Sequence, residues 1–374
     1  VTYRVRFGHR VGAYYRNPDA DIVGRPRPSR CGYARPSGAN DSPFGVFVAI
    51  DERGTELFRK KLNRGQLAEF AATAPQCLIA MEACPGSQFW GRRFQAAGHE
   101  LRIIPAQFVK PYLESNKNDF NDAQAIAEAA SRGSMRCVPL KTTDQIELQA
   151  LHRVRQRFIV ERTAVVNQMR ALLLEHGIVI PVGRALFARR LPAVLADAES
   201  GLSPRLCQLI ARLRQRWLAL DEEIDTASAE ITQIARESEL CRRVSTVPSV
   251  GPVVSTALIA AVGNGTAFKR ARDMSAWLGL VPKQYSTGGK ANLGGISKRG
   301  NAYLRMMVIQ GARALMIHMK RDQSRMGLWL REVEQRSHPH VALIALANKI
   351  VRICWKVLTS QQPYRAFLEI SAAA

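Results

Sequence analysis

Asp119 and Asp122 stand three residues apart at the head of Asn116-Lys-Asn-Asp-Phe-Asn-Asp-Ala-Gln-Ala-Ile126, after which Ala130 keeps the helical spacing of small and apolar residues. Positions i and i+3 share a helix face, so the two carboxylates repel each other unless a cation lies between them. Mg2+ takes hard oxygen ligands, and paired carboxylates hold it in phosphoryl-transfer sites. Asn and Asp also favour helix N-termini, where the dipole suits an acid, so capping is a competing reading of equal weight. Glu82 ends the apolar run Cys77-Leu-Ile-Ala-Met81. Sites form at the C-terminal ends of buried strands in open α/β sheets, which makes Glu82 a third candidate ligand. An exposed strand end is the plain alternative.

A second group of residues could act on phosphates. Gln284-Tyr-Ser-Thr-Gly-Gly-Lys290 sets two hydroxyls, Ser286 and Thr287, before a glycine pair and a lysine. The glycines free the backbone and Lys290 can hold a phosphate, although a surface turn of common turn residues is the better reading of this stretch in isolation. Gly295-Ile-Ser-Lys-Arg-Gly300 is a second glycine-bounded loop, with Lys298 and Arg299 suited to phosphates. Thr246-Val-Pro-Ser-Val-Gly-Pro252 precedes an apolar helix and resembles a helix-hairpin-helix turn. There Gly251 would admit a close backbone, and the helix N-terminus would offer N–H groups to a phosphate; an ordinary loop is the alternative.

These residues need elements to position them. Residues 46–51 and 56–61 read as a hairpin of strands, 65–74 as a short helix and 77–81 as a buried central strand. A helix over 87–97, a strand over 101–104 and the Asp119 helix follow, which together predict an α/β domain with a mixed sheet over 45–142. Residues 144–177 read as a basic helix with Leu151, Phe158, Val165 and Leu172 every seven positions and Arg153 and Arg155 among its cations. In 203–237, Leu206, Ile210, Leu213, Trp217, Leu220, Ile224, Ala227, Ile231 and Ile234 alternate steps of four and three. That spacing predicts a coiled-coil seam. Region 143–240 is therefore expected to dimerise or to space two domains, with an intrachain helix pair as the alternative. Residues 241–360 read as a mainly helical domain with helices over 302–320, 323–336 and 341–359, and 361–374 as a tail.

Residues 1–44 hold eight Arg and no Lys among scattered Pro and Gly, and sustain neither period. The segment is expected to be disordered, either as a basic arm on nucleic acid or as sequence from a shifted reading frame. Over the whole chain 54 Lys and Arg face 31 Asp and Glu, a net charge of +23. Such an excess points to nucleic acid. No apolar run approaches a bilayer span, no signal peptide is expected, and seven scattered Cys without a C-x-x-C suit a reducing cytoplasm.

In order along the chain, Met81-Glu-Ala-Cys84, Gln107-Phe-Val-Lys-Pro-Tyr112, Asn116-Lys-Asn-Asp119 with Asp122, Leu151-His-Arg-Val-Arg155, Trp277-Leu-Gly-Leu280, Ser286-Thr-Gly-Gly289 and Gly295-Ile-Ser-Lys-Arg-Gly300 resemble the transposases of insertion sequence 110 and its close subgroup. The resemblance runs from about Val46 to Leu358. It implies an RuvC-like (RNase H-fold) domain with a D-E-D-D quartet, a coiled coil, and a C-terminal transposase domain with a serine nucleophile. It implies cutting and rejoining of DNA, Mg2+ on the quartet, a transient serine–DNA phosphodiester and a structured guide RNA from the element. It also implies a homo-oligomer, dimer or tetramer, whose active site is shared between protomers. Carried over by position, Glu82, Asp119 and Asp122 match the second, third and fourth acids and Ser286 the serine. The first acid should stand on a strand at Ala39, but 36–43 is too rich in Pro and Gly for one, and Asp41 is out of register. Without that strand 46–51 is expected to lack a partner on one side, and the chain to cut poorly. The second hydroxyl of the loop is Thr287 where the family often has serine, so the nucleophile is Ser286 or Thr287. A RuvC-like junction nuclease and a non-catalytic nucleic-acid-binding relic remain the alternatives.

The charge excess makes the first prediction. Affinity for DNA should fall steeply with salt, with a log–log slope of roughly −0.9 for each phosphate contacted. A nearly flat plot in a titration against salt would count against nucleic acid as the partner.

Overall fold

The computed structural model describes residues 45–51, 55–113 and 118–365, together with the backbone of residues 9–14. The chain divides into two compact units, Val1–Lys141 and Thr142–Ala374.

In the first unit the strands are β1 (His9–Tyr14), β2 (Gly45–Ile50), β3 (Glu56–Leu62), β4 (Leu78–Glu82) and β5 (Glu100–Ile104). The helices are α1 (Arg64–Thr73), α2 (Ser87–Ala96), the short α3 (Ala106–Val109) and α4 (Asp119–Ser131). The sheet order is β3-β2-β1-β4-β5. It is mixed: β1 runs parallel to β2 and antiparallel to β4, β2 and β3 form the expected hairpin, and β4 and β5 are parallel. Strand residues alternate between faces, and the burial follows. Phe47, Ala49, Ile79, Met81 and Ile103 pack with Leu67 of α1 and Trp90 and Phe94 of α2. On the other face Leu78, Ala80 and Ile104 pack with Ala125, Ile126 and Ala129 of α4, and Val46, Val48 and Ile50 with its Ala123 and Ala127. Alanines every three or four residues let α4 lie close to the sheet.

The central strand corrects two expectations. Residues 9–14 are a strand, not part of a disordered arm, and β2 has partners on both sides. The physical reason is the vacancy between β2 and β4: their inward backbone groups must be paired, and the short run His-Arg-Val-Gly-Ala-Tyr is compatible with a ladder. The strand carries no carboxylate. Ala39, Asp41 and the rest of 15–44 lie outside the described residues.

The second unit begins with α5 (Thr143–Leu174), α6 (Arg184–Ala196) and α7 (Pro204–Glu237), followed by α8 (Glu239–Val244) and α9 (Pro252–Val262). Capping is local: Thr142 and Gln145 form a capping box on α5, and Ser203 caps α7. The seam predicted for assembly is used inside the chain. Ile210, Trp217, Leu220, Ile224, Ala227 and Ile231 of α7 are buried in the single chain. At one end Phe187 and Leu191 of α6, a helix the periodicity did not reveal, join Met169 and Leu173 of α5 over Ile210 and Trp217. Each isoleucine buried this way contributes about 1.5–3 kcal/mol relative to exposure, which an external partner would have to match. Asp221 on α7 pairs with Arg162 of α5 at 2.7 Å and with Arg184 of α6 at 2.9 Å.

The chain continues through α10 (Ala271–Trp277), β6 (Pro282–Gln284), β7 (Leu293–Ile296), α11 (Ala302–His318), α12 (Arg325–Arg336) and α13 (Pro339–Ser360). β6 and β7 form an antiparallel pair. A core of Leu258, Met274, Leu278, Leu304, Leu330, Leu346 and Ile350 gathers α9 to α13. Among the described residues no helix is long and apolar enough to cross a membrane.

His152 of α5 is pinned between two other helices. Its Nε2 is 3.0 Å from Thr256 Oγ1 of α9 and its Nδ1 3.0 Å from Tyr303 Oη of α11. Thr256 gives its own proton to the Pro252 carbonyl at 2.6 Å, so Nε2 must donate to it. Burial, with Arg155 adding to it, pushes the imidazole down to about 4, which keeps the ring neutral at neutral pH and leaves Nδ1 the acceptor. The unfolded chain binds the proton at about 6.5, the folded chain only near 4, so this contribution is whole above 6.5 and is lost as pH falls towards 4. At full size it is ~3 kcal/mol. His152→Gln is expected to be destabilised above that window and to lose the pH slope within it. Denaturant unfolding at both ends of the window checks this, and an unchanged slope in the variant would contradict it.

Candidate functional site

The two acids of α4 are not its caps. Asn118 is the cap, accepting from the Phe120 N–H at 3.0 Å, with Asp119 and Asp122 in the first turn. Asp119 is exposed and Asp122 is 5% exposed. Glu82 ends β4, and alternation sets it on the face of Leu78 and Ala80, the face that α4 covers. All three predicted ligands thus belong to one side of one sheet. Their oxygens are the hard donors that Mg2+ takes. Among the described residues, however, no three carboxylate, imidazole or thiol groups stand close enough to hold a metal ion.

The hydroxyl loop is the tip of the β6–β7 hairpin, and every residue from Pro282 to Gly295 is exposed. The Lys290 N–H donates to the Thr287 carbonyl at 3.1 Å. Between them Gly288 and Gly289 have φ of 55° and 78°, as a type I′ turn requires. Ser286 Oγ accepts from Gln284 Nε2 at 2.8 Å and from the Asn292 N–H at 3.2 Å. With two bonds accepted, its own proton is directed elsewhere. Thr287 Oγ1 makes no hydrogen bond among the described residues, and Tyr285 is 71% exposed. Gln284 and Asn292 were not foreseen as site residues. The available signal was the Gly-Gly pair between two short runs, a hairpin turn signature that puts residues two apart on one face.

The feet of the hairpin are locked together. Ser297 donates its N–H to the Val281 carbonyl at 2.8 Å and Lys298 to that of Gly279 at 3.2 Å. At Gly300, with φ of 82°, a Cβ would lie 1.9 Å from the Trp277 carbonyl oxygen; at Gly279, with φ of 75°, one would lie 2.2 Å from that of Arg299. Arg305 of α11 donates to the Leu278 and Arg299 carbonyls, both at 3.0 Å. The backbone crossing turns Lys298 and Arg299 outward, and both are exposed, as is Lys290. Arg153 is exposed as well, whereas Arg155 donates to Ser228 Oγ at 2.7 Å inside the unit. In the turn before α9 the residue with positive φ is Ser249, at 70°, and not Gly251, which caps the helix with open space beside it.

Comparison with known proteins places both regions. A family model described as "Transposase IS116/IS110/IS902 family" matches residues 241–326, and a DEDD-type model described as "Transposase" matches residues 45–178. The chain is 43% identical to the transposase for insertion sequence element IS1111A of Coxiella burnetii, over 84% of this chain and 87% of that one. It is 42% identical to the transposase for IS1328 of Yersinia enterocolitica, over 83% and 92%. A probable family 20 transposase of Pseudomonas aeruginosa is 39% identical, over 84% and 94%.

The backbone crossing predicts a sharp contrast between two glycines. Gly300→Ala meets both a forbidden φ and a carbonyl, and is expected to lose at least ~2 kcal/mol. Gly295→Ala has nothing within 4 Å of its Cβ and should be near neutral. Equal unfolding midpoints for the two variants would show that the crossing contributes nothing.

Proposed function

This chain belongs to the IS116/IS110/IS902 family and is a transposase of an insertion sequence, and from that premise we propose that Ser286 is the nucleophile with which it cuts and rejoins DNA. The observation that supports Ser286 is its hydrogen bonding. Gln284 Nε2 and the Asn292 N–H both point at Oγ, where they orient it and stabilise the alkoxide left as its proton departs; that charge then passes to the phosphoryl oxygens as Oγ bonds to a backbone phosphorus. The Oγ–P bond forms, the P–O bond to one deoxyribose breaks, and the serine proton passes to a base while the sugar oxygen takes one up. The resulting serine phosphodiester keeps the phosphate activated, so a deoxyribose hydroxyl of another strand can reverse the attack and rejoin the DNA. Lys290, Lys298 and Arg299 are proposed to hold flanking phosphates, with Arg153, Arg155 and the Gly251 turn as further contacts.

The finer parts of the proposal rest on the family resemblance. Glu82, Asp119 and Asp122 are proposed as donors to a divalent ion, Mg2+ by the hardness of their oxygens. When bound, such an ion supplies Lewis-acid polarisation of a phosphate. An RNase H-like first unit agrees with a hairpin followed by alternating helices and strands on a mixed sheet. The guide RNA, a homo-oligomer with a shared active site, and a cytoplasmic location complete it. A second reading, binding without efficient cutting, is favoured by one observation: the central strand His9–Tyr14 brings no acid to the sheet.

Ser286→Ala is expected to lower strand cleavage and rejoining a hundredfold or more, on the order of other lost nucleophiles, with DNA affinity nearly unchanged. Thr287→Ala and Tyr285→Phe should stay close to the parent. Activity that survives in Ser286→Ala but vanishes in Thr287→Ala would transfer the role to the threonine.

A further inference from the structure

A groove of about 910 Å³ opens beside the foot of the serine hairpin, between β6–β7 and the face of α13, with Trp329 of α12 on its wall. Ligand pockets span roughly 300–1,000 Å³, so it has room for a nucleotide and its neighbours. Lys349, Arg352 and Lys356 line it at i, i+3 and i+7 of α13, and so share one helix face. Like charges at these spacings repel, and no carboxylate lines the groove among the described residues. Glu332 on α12 is near enough to favour the charged form of Lys349, but burial and Arg352 together pull that ammonium down. Lys349 Nζ rests 3.8 Å above the Trp329 ring. A cation over an aromatic face is attracted by it, yet here it also occupies a surface on which a flat base could stack.

We propose that this groove receives an unpaired stretch of the DNA strand that the hairpin engages, with a base against Trp329 and its phosphates on Lys349, Arg352 and Lys356. The inference rests on the reading of the hairpin as the DNA-attacking element. Charge complementarity selects an anion. The largely apolar depth, with Ile296, Ile353 and Trp355 in its walls, selects an anion with an apolar plane. A duplex keeps its bases stacked inside and offers no such plane to a side pocket, whereas single strands are held by cations along the backbone and aromatic rings under the bases. Entry of the base frees Lys349 from the ring to meet a phosphate, so both groups exchange a weak partner for a stronger one. Continuity with the hairpin foot at Gly294, Gly295 and Ile296 makes the occupant the DNA strand rather than a separate RNA.

The test uses the full chain carrying Ser286→Ala, so that binding is read without cleavage, and single-stranded DNA with a 2-aminopurine base. Binding should quench the 2-aminopurine, and Trp329→Leu should abolish the quench. Arg352→Glu, at an exposed position, should weaken single-strand binding about tenfold while duplex binding changes no more than about twofold. Equal losses on duplex and single strand, or none on either, would overturn the proposal. A larger loss on single-stranded RNA than on DNA would assign the groove to RNA, and displacement of the DNA by polyglutamate at matching affinity would assign it to an acidic protein segment. These outcomes are separate from the fate of Ser286 as nucleophile, which a covalent adduct reports and this binding assay does not.

Discussion

Two stretches of backbone cross at Gly279 and Gly300 with no room for a Cβ on either, and the hairpin carrying Ser286 stands on that crossing. An exposed two-stranded hairpin is marginal by itself. This one gains its direction from its feet: the Val281 and Gly279 carbonyls are bonded across the crossing, and Arg305 of α11 ties both sides to the helical core. The tip is left free of packing, which suits the proposed role of Ser286 as a nucleophile that reaches into DNA. Fixed feet and a bare tip are two aspects of one constraint, since side chains large enough to bury the tip would also bar a strand from the proposed nucleophile.

The rest of the second unit supports that platform through buried polar contacts as well as apolar ones. His152 joins the long α5 to α9 and α11, and its neutral tautomer is set by where Thr256 spends its proton. The α5–α7 seam does comparable work along the long helices. A heptad pattern states that a helix needs a partner of matching period, and does not state which chain supplies it. Here α5, α6 and α9 supply much of it from within.

Much of the first unit was legible because β-strand alternation and burial carry the same information. The run ending in Glu82 announced a buried strand, and once α4 is known to cover Leu78 and Ala80, strand parity puts Glu82 on that face. The spacing of Ala123, Ile126 and Ala130 likewise announced the buried face of that helix. Three features were not legible. Strand β1 lies in an arginine- and proline-rich segment whose local preferences argue against it, and pairing demands from β2 and β4 override them. Helix α6 has a proline inside it, Pro192, and lacks a clean period. Gln284 and Asn292 matter through a hairpin register that exists only once the Gly288–Gly289 turn is recognised. The sequence was expected to leave β2 without a partner on one side, and β1 fills that place.

Cutting and rejoining by Ser286, as proposed, require a covalent bond between its Oγ and DNA. Its most direct measurement is to quench the chain with DNA bearing the element's end, digest with trypsin, and sequence the DNA-linked peptide by mass spectrometry. Trypsin cuts after Lys283 and Lys290, isolating Gln284-Tyr-Ser-Thr-Gly-Gly-Lys290 with three hydroxyls that fragmentation separates. A nucleotide phosphate on Ser286 is the expected result. Cleaved DNA with ordinary ends and no peptide attached, in the presence of Mg2+, would contradict it and make the acids of the first unit a hydrolytic nuclease.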